Sequence, residues 1–137
     1  MTTITISRSV PAPPVRAYEA WVDPDRLAAW WWLHLPDTTY ELDARPGGTY
    51  RIDSPTAGIG VEGTFREVEP PRRLLYTWLW SGGEGEEDVP EDLVEITFQP
   101  DGTGTLVTVR HTSVEDITKG GAKQGWGEVM DRLAAIE

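Results

Sequence analysis

Cysteine is absent from the 137 residues, and histidine occurs only twice, as His34 and His111. The first absence excludes a disulfide framework and any thiolate metal site. It fits a reducing compartment, so the expected location is cytoplasmic. The second leaves too few imidazoles for a catalytic zinc without carboxylate help, and no H-x-x-x-H spacing exists, so no metal site and no cofactor are expected. No apolar run approaches the roughly 18 residues of a membrane span. The start, Met1-Thr2-Thr3-Ile4-Thr5-Ile6, has neither a basic nor an apolar leader region, so no signal peptide is expected. Positive charge is scarce as well. Lys and Arg number 12 against 23 Asp and Glu, a net charge of −11. That balance repels phosphate backbones and anionic membranes. Nucleic-acid binding would need a basic patch, and Arg72-Arg73 is only a pair, so neither nucleic acid nor membrane is an expected partner. A nucleophile elbow of the form G-x-S-x-G is missing. Gly58-Ile59-Gly60-Val61-Glu62-Gly63 matches a dinucleotide fingerprint by letters only, in strand context with no helix opening after it.

Tryptophan, by contrast, is abundant. Seven occur, three of them consecutive as Trp30-Trp31-Trp32. Each indole buries a large area and carries an N–H that needs a partner. The rings either form a Trp-rich core or wall a small-molecule cavity.

Periodicity gives the elements. Residues 2–10 alternate, with Ile4, Ile6 and Val10 on one side, as in a half-buried strand. Pro14 opens a helix carrying Val15, Tyr18 and Trp21-Val22. Asp23-Pro24 reads as an N-cap with proline at the first position of a second helix, in which Leu27, Trp30 and Trp31 continue at helical spacing. Six strands follow, over Thr39–Ala44, Thr49–Ser54, Gly60–Val68, Arg73–Trp80, Leu93–Gln99 and Thr105–Thr112, separated by Pro- and Gly-bearing turns. From about Thr118 to Glu137 the apolar period turns helical, through Trp126, Val129-Met130, Leu133 and Ile136. That span predicts a helix about 30 Å long, weakened by Gly120, Gly121, Gly125 and Gly127 unless it packs on something. Consecutive strands joined by short turns are antiparallel. The expected fold is α+β over residues 1–137 as one domain: a curved antiparallel sheet of about seven strands, two short helices after the first, and a C-terminal helix gripped by the sheet. Gly63, inward and without a side chain, is expected to leave volume at mid-sheet.

Several short patterns then coincide in order. They are Ala12-Pro13-Pro14 before a helix with Tyr18 and Trp21; Asp23-Pro24 running to Trp30-Trp31; Asp43-Ala44-Arg45-Pro46-Gly47-Gly48; Gly63-Thr64-Phe65 leading to Val68-Glu69-Pro70-Pro71; Leu74-Leu75-Tyr76-Thr77-Trp78; Gly104-Thr105 running to His111; and Gly125-Trp126 ahead of Leu133. Together they resemble the SRPBCC (START-like, helix-grip) superfamily, in the branch of the activator of heat shock protein 90 ATPase homologue. The resemblance implies a hydrophobic cavity between sheet and C-terminal helix that takes lipids, polyketides, hormones or other apolar molecules, with cyclisation, dehydration or hydrolysis in some members. Trp32-Leu33-His34-Leu35 departs from the Pro/Gly-rich stretch common there. The final helix also looks short, so that a partner chain of a homodimer could cover the cavity's end.

The residues expected at such a site are Trp31, Tyr50, Phe65, Tyr76, Trp78, Trp80 and Trp126 as walls, with His34 and His111 at the rim. Three readings follow. The first is a protein that binds a small hydrophobic or aromatic molecule. The second is a cavity enzyme, for which His111 is the best proton-transfer candidate and Tyr76 the next. The third is a regulator of the heat shock protein 90 ATPase, in a stress response, which rests on analogy with the family's name. Asp43 and Arg45 either orient a polar ligand or pin the following turn by a surface ion pair. Glu84-Gly85-Glu86-Glu87-Asp88 lacks the frame of a calcium loop and reads as solvated, near the cavity entrance.

Overall fold

Strict alternation gives β1 (Thr2–Val10) an inward row of Ile4, Ile6 and Val10, all buried. The computed structural model describes residues 2–32, 37–81, 91–113 and 122–135. His34 and the acidic run at 84–88 lie outside them. Pro14 opens α1 (Pro14–Val22), where Ala17, Tyr18, Ala20 and Trp21 are buried. Val15 was expected on that buried face but is 55% exposed, because the apolar stripe is set by the positions that follow it. Asp23 caps α2 (Pro24–Leu27), its side chain accepting from the Asp25 N–H at 3.0 Å, a cap worth about 1 kcal/mol. The regular helix ends at Leu27, earlier than the spacing of Trp30 and Trp31 suggested. The chain keeps winding, with Trp31 N–H donating to Leu27 O at 2.9 Å, until Trp32 at φ +49° breaks the turn.

The sheet follows: β2 (Thr39–Leu42), β3 (Thr49–Ser54), β4 (Ile59–Glu69), β5 (Arg73–Ser81), β6 (Asp92–Asp101) and β7 (Gly104–Ser113). All seven strands form one curved antiparallel sheet in the order β1-β7-β6-β5-β4-β3-β2. From β2 to β7 each strand pairs with the next, and β1 closes onto β7 with Ile6 opposite Val109. A register shift between Phe65 and Glu67 places a bulge in β4, a device that bends a strand and sharpens its twist. The inward rows are Tyr50 and Ile52, then Val61 and Phe65, then Leu74, Tyr76 and Trp78, then Val94, Ile96 and Phe98, then Val107, Val109 and His111, all buried.

The helix α3 (Ala122–Ala135) buries Trp126, Val129, Met130 and Leu133 and packs beside β1. Arg8 of β1 reaches Asp131 at 2.7 Å. Its 14 described residues span about 21 Å. None of the described helices is long and apolar enough to cross a membrane.

Candidate functional site

Turn geometry places the three consecutive indoles on three different walls of one aromatic layer. Trp30 packs back on Trp21, ring centres 4.7 Å apart. Trp31 points over the sheet and meets Trp78 at 6.1 Å and Trp126 at 5.3 Å. Trp32 meets Trp80 edge-on at 5.8 Å. Trp78 lies against Trp126 at 5.1 Å and His111 at 5.2 Å. Beside this cluster, Tyr50, Phe65 and Tyr76 form a triangle with sides of 5.1–5.7 Å. These separations lie in the attractive range for aromatic pairs, each worth about 0.5–1.5 kcal/mol beyond area burial.

The space left among these rings is small. One void of about 20 Å³ is lined by Trp21, Leu27, Trp31, Leu42, Tyr50, Ile52, Phe65, Tyr76 and Trp78. That is room for about one water molecule. It lies between the sheet and the α1–α2 segment, and no α3 residue lines it. The expected volume at Gly63 is not there either. Tyr50 stands opposite Gly63 in the β3–β4 ladder, and a Cβ on Gly63 would come within 2.7 Å of the Tyr50 ring and 2.0 Å of Thr77 O. The missing side chain is occupied by Tyr50, whose hydroxyl donates to Thr77 O at 2.6 Å.

Of the expected wall, Trp31, Tyr50, Phe65, Tyr76 and Trp78 line the void. Trp126, His111 and Trp80 belong to the adjoining ring cluster. His34 lies outside the described residues. Sequence reasoning missed Trp21, Leu27, Leu42 and Ile52 as lining residues, although Trp21 and Leu27 fall at helical spacing and Leu42 and Ile52 stand two places after Tyr40 and Tyr50 on their strands. It also missed Asp92. That residue stands opposite Trp78 and two places before Val94, itself opposite His111, so period two puts it on the inward face beside the imidazole.

Asp92, His111 and Trp126 form a hydrogen-bonded chain from β6 through β7 to α3. The Trp126 indole N–H donates to His111 Nδ1 at 2.8 Å, and His111 Nε2 lies 2.7 Å from Asp92 Oδ2. An indole nitrogen only donates. Nδ1 is therefore the acceptor, and Nε2 carries the proton and donates it to the carboxylate. Burial pushes the His111 pKa down, against the opposing pull of the Asp92 hydrogen bond and charge. The ring is neutral at pH 7 with both nitrogens engaged. Burial pushes the Tyr76 hydroxyl up, opposed by its bond from Trp21, so the phenol keeps its proton. Both His111 nitrogens are thus taken by protein partners, Trp126 and Asp92.

The indoles differ in anchorage. Trp30 donates to Ala20 O at 2.9 Å, Trp126 to His111, and Trp21 to Tyr76 Oη at a long 3.4 Å. The indole N–H of Trp31 is buried with no partner among the described residues. Arg45 holds Asp43 at 2.8 Å on the surface, beside Gly47 at φ +85°, and neither residue of the pair lines the void. No group of three or more His, Asp or Glu able to hold a metal occurs among the described residues.

Residues 11–136 match the family model described as Activator of Hsp90 ATPase homolog 1-like protein. Among solved structures, CalU16 from Micromonospora echinospora is 26% identical with a TM-score of 0.74, the match covering 96% of this chain and 73% of that one. Protein CV1439 from Chromobacterium violaceum is 28% identical with a TM-score of 0.77, covering 97% and 94%. DynU16, a protein of the dynemicin biosynthetic locus, is 28% identical with a TM-score of 0.75 over 96% of this chain and 45% of its own. No curated protein sequence matches.

Proposed function

The chain belongs to the Activator of Hsp90 ATPase homolog 1-like protein family, and from that membership we propose that it binds a small apolar, ring-bearing molecule between the sheet and the α1–α2 segment. The observation that carries this reading is the wall of the void: nine apolar or aromatic side chains drawn from α1, α2, β2, β3, β4, β5 and the turn after α2. The kinship with a protein of a natural-product biosynthetic locus supports a small organic cargo.

The described conformation is closed. A cavity that takes one benzene ring has about 150 Å³, against about 20 Å³ here. Uptake therefore requires part of the wall to move. Trp31 is the side chain suited to it, since among the described residues its indole finds no hydrogen-bond partner, unlike those of Trp21, Trp30 and Trp126. Swinging Trp31 outward joins the void to the space the ring vacates. An apolar guest there gains about 25 cal/mol per Å² buried. The enzyme reading gains little from the site, because both His111 nitrogens are hydrogen-bonded to Trp126 and Asp92 and burial keeps the Tyr76 phenol protonated.

The test is a titration of intrinsic tryptophan emission with a panel of planar aromatic compounds, paired with thermal melts. Saturable quenching and a rise in Tm are expected. Emission and Tm that stay flat for every compound up to millimolar concentration would end the proposal.

A further inference from the structure

Glycine flanks Trp126 on both sides within α3, as Gly125 and Gly127. At Gly48, Gly63 and Gly104 a Cβ would strike a backbone oxygen at 2.0–2.4 Å, so packing demands glycine there. A Cβ on Gly125 meets nothing within 4 Å, and one on Gly127 meets only Arg8 Nη2 at an ordinary 3.6 Å. Neither has a positive φ. Alanine would fit at both positions and favour the helix by up to about fivefold at each. Helix stability is thus forgone on either side of one indole, and packing asks for neither glycine.

That indole covers an imidazole. Trp126 donates to His111 Nδ1 at 2.8 Å, while Nε2 is held by Asp92 at 2.7 Å. Ahead of Trp126, Gln124 and Gly125 are exposed. Beyond it, burial resumes at Val129, Met130 and Leu133, and Asp131 ties the same stretch to Arg8 of β1. Unwinding the chain up to Gly127 therefore detaches, among the described side chains, one buried group. The rest of α3 stays anchored. A local opening of this size costs far less than global unfolding, and the first helical turn begins with N–H groups that lack intrahelical partners. We infer that Gly125 and Gly127 form a hinge on which Trp126 swings off His111, uncovering an imidazole whose Nδ1 lone pair is free and whose Nε2–H is held by Asp92. Such a pair acts as a base or nucleophile. Nδ1 takes up a proton or an electrophile, and the Asp92 carboxylate steadies the positive charge that results. The closed conformation keeps this group covered, and the two glycines set how often it opens.

The experiment follows carbethoxylation of His111 by diethyl pyrocarbonate at pH 7, read by peptide mass mapping, which separates it from His34. Reaction needs a free ring nitrogen, and the closed ring has none. Where reclosing outpaces reaction, the rate reports the open population. In the wild type the rate lies well below that of N-acetylhistidine. It stays flat in urea below the unfolding transition, because a local opening exposes little surface. Gly125→Ala and Gly127→Ala each lower it by up to about fivefold. Trp126→Phe, which keeps a ring and loses the N–H, raises it by roughly three- to tenfold. A rate that climbs with urea in step with global unfolding overturns the inference. So does a His111 that never reacts, or one that reacts as fast as N-acetylhistidine. A rate unchanged when both glycines are replaced by alanine overturns it as well. The urea series uses the wild type alone, so it decides the matter even if a variant fails to fold.

Discussion

Trp126 donates its indole N–H to Nδ1 of His111 across 2.8 Å, and this bond makes the imidazole a clasp between α3 and the sheet. A protonated Nδ1 would point a hydrogen at the indole hydrogen. Burial and the indole therefore favour the neutral ring, and Asp92 on the far nitrogen does not reverse the balance.

Stability consequently falls in acid. The folded-state pKa of His111 lies below the ordinary value of 6.5. Where the folded pKa is depressed, the unfolded chain takes the proton first. The contribution is complete above pH 6.5, declines as pH falls toward the folded-state pKa, and levels off below it. Melts from pH 5 to 8 should show Tm decreasing on the acid side. His111→Gln, which cannot titrate, should lower Tm at pH 7 and flatten that acid slope. Parallel slopes for the two proteins would remove His111 as the source.

Two glycines should respond to the same substitution with opposite sign. At Gly63 a methyl group meets Thr77 O at 2.0 Å and the Tyr50 ring at 2.7 Å, and overpacking of this kind costs about 1–3 kcal/mol. At Gly125, inside α3, the methyl meets nothing within 4 Å, and replacing a mid-helix glycine by alanine gains up to ~1 kcal/mol. Urea unfolding of Gly63→Ala and Gly125→Ala measures both. A Gly63→Ala variant as stable as the wild type would mean that Tyr50 does not fill the mid-sheet space.

The contrast also marks what the sequence could reveal. Period two marks Ile4, Ile6 and Val10 of β1 as one face, and all three are buried, because a residue's face in a strand follows from its parity alone. The C-terminal helix showed its buried stripe, Trp126, Val129, Met130 and Leu133, for the matching reason at period 3.6. Volume is not a matter of parity. Gly63 reads as a gap in one dimension, and only the β3–β4 register, Tyr50 opposite Gly63, shows a phenol ring lying over it. The Asp92–His111–Trp126 chain joins the consecutive elements β6, β7 and α3. Period two marks Asp92 and His111 as inward, and only the fold shows that they pair with each other and with Trp126. Which indoles have hydrogen-bond partners is settled by three-dimensional neighbours such as Ala20 O, ten residues from Trp30.

Leu27→Ala tests whether the void grows into a usable site without touching a polar group. Leu27 is 1% exposed and forms part of the wall. Its backbone oxygen, which receives the Trp31 backbone N–H at 2.9 Å, survives the change. Loss of the side chain should cost about 2–5 kcal/mol, rising with the volume left open. If that volume adds to the existing void, a benzene-sized guest regains part of the loss, about 2.7 kcal/mol at a hundred times its dissociation constant. The expected result is a variant with a lowered Tm that benzene raises by several degrees, beside a wild type that benzene raises less, since Trp31 must first swing out. A variant that stays folded yet shows no benzene-dependent rise would mean that the wall collapses onto the missing side chain. The rings between sheet and α1–α2 would then be core packing, with no capacity to hold a guest.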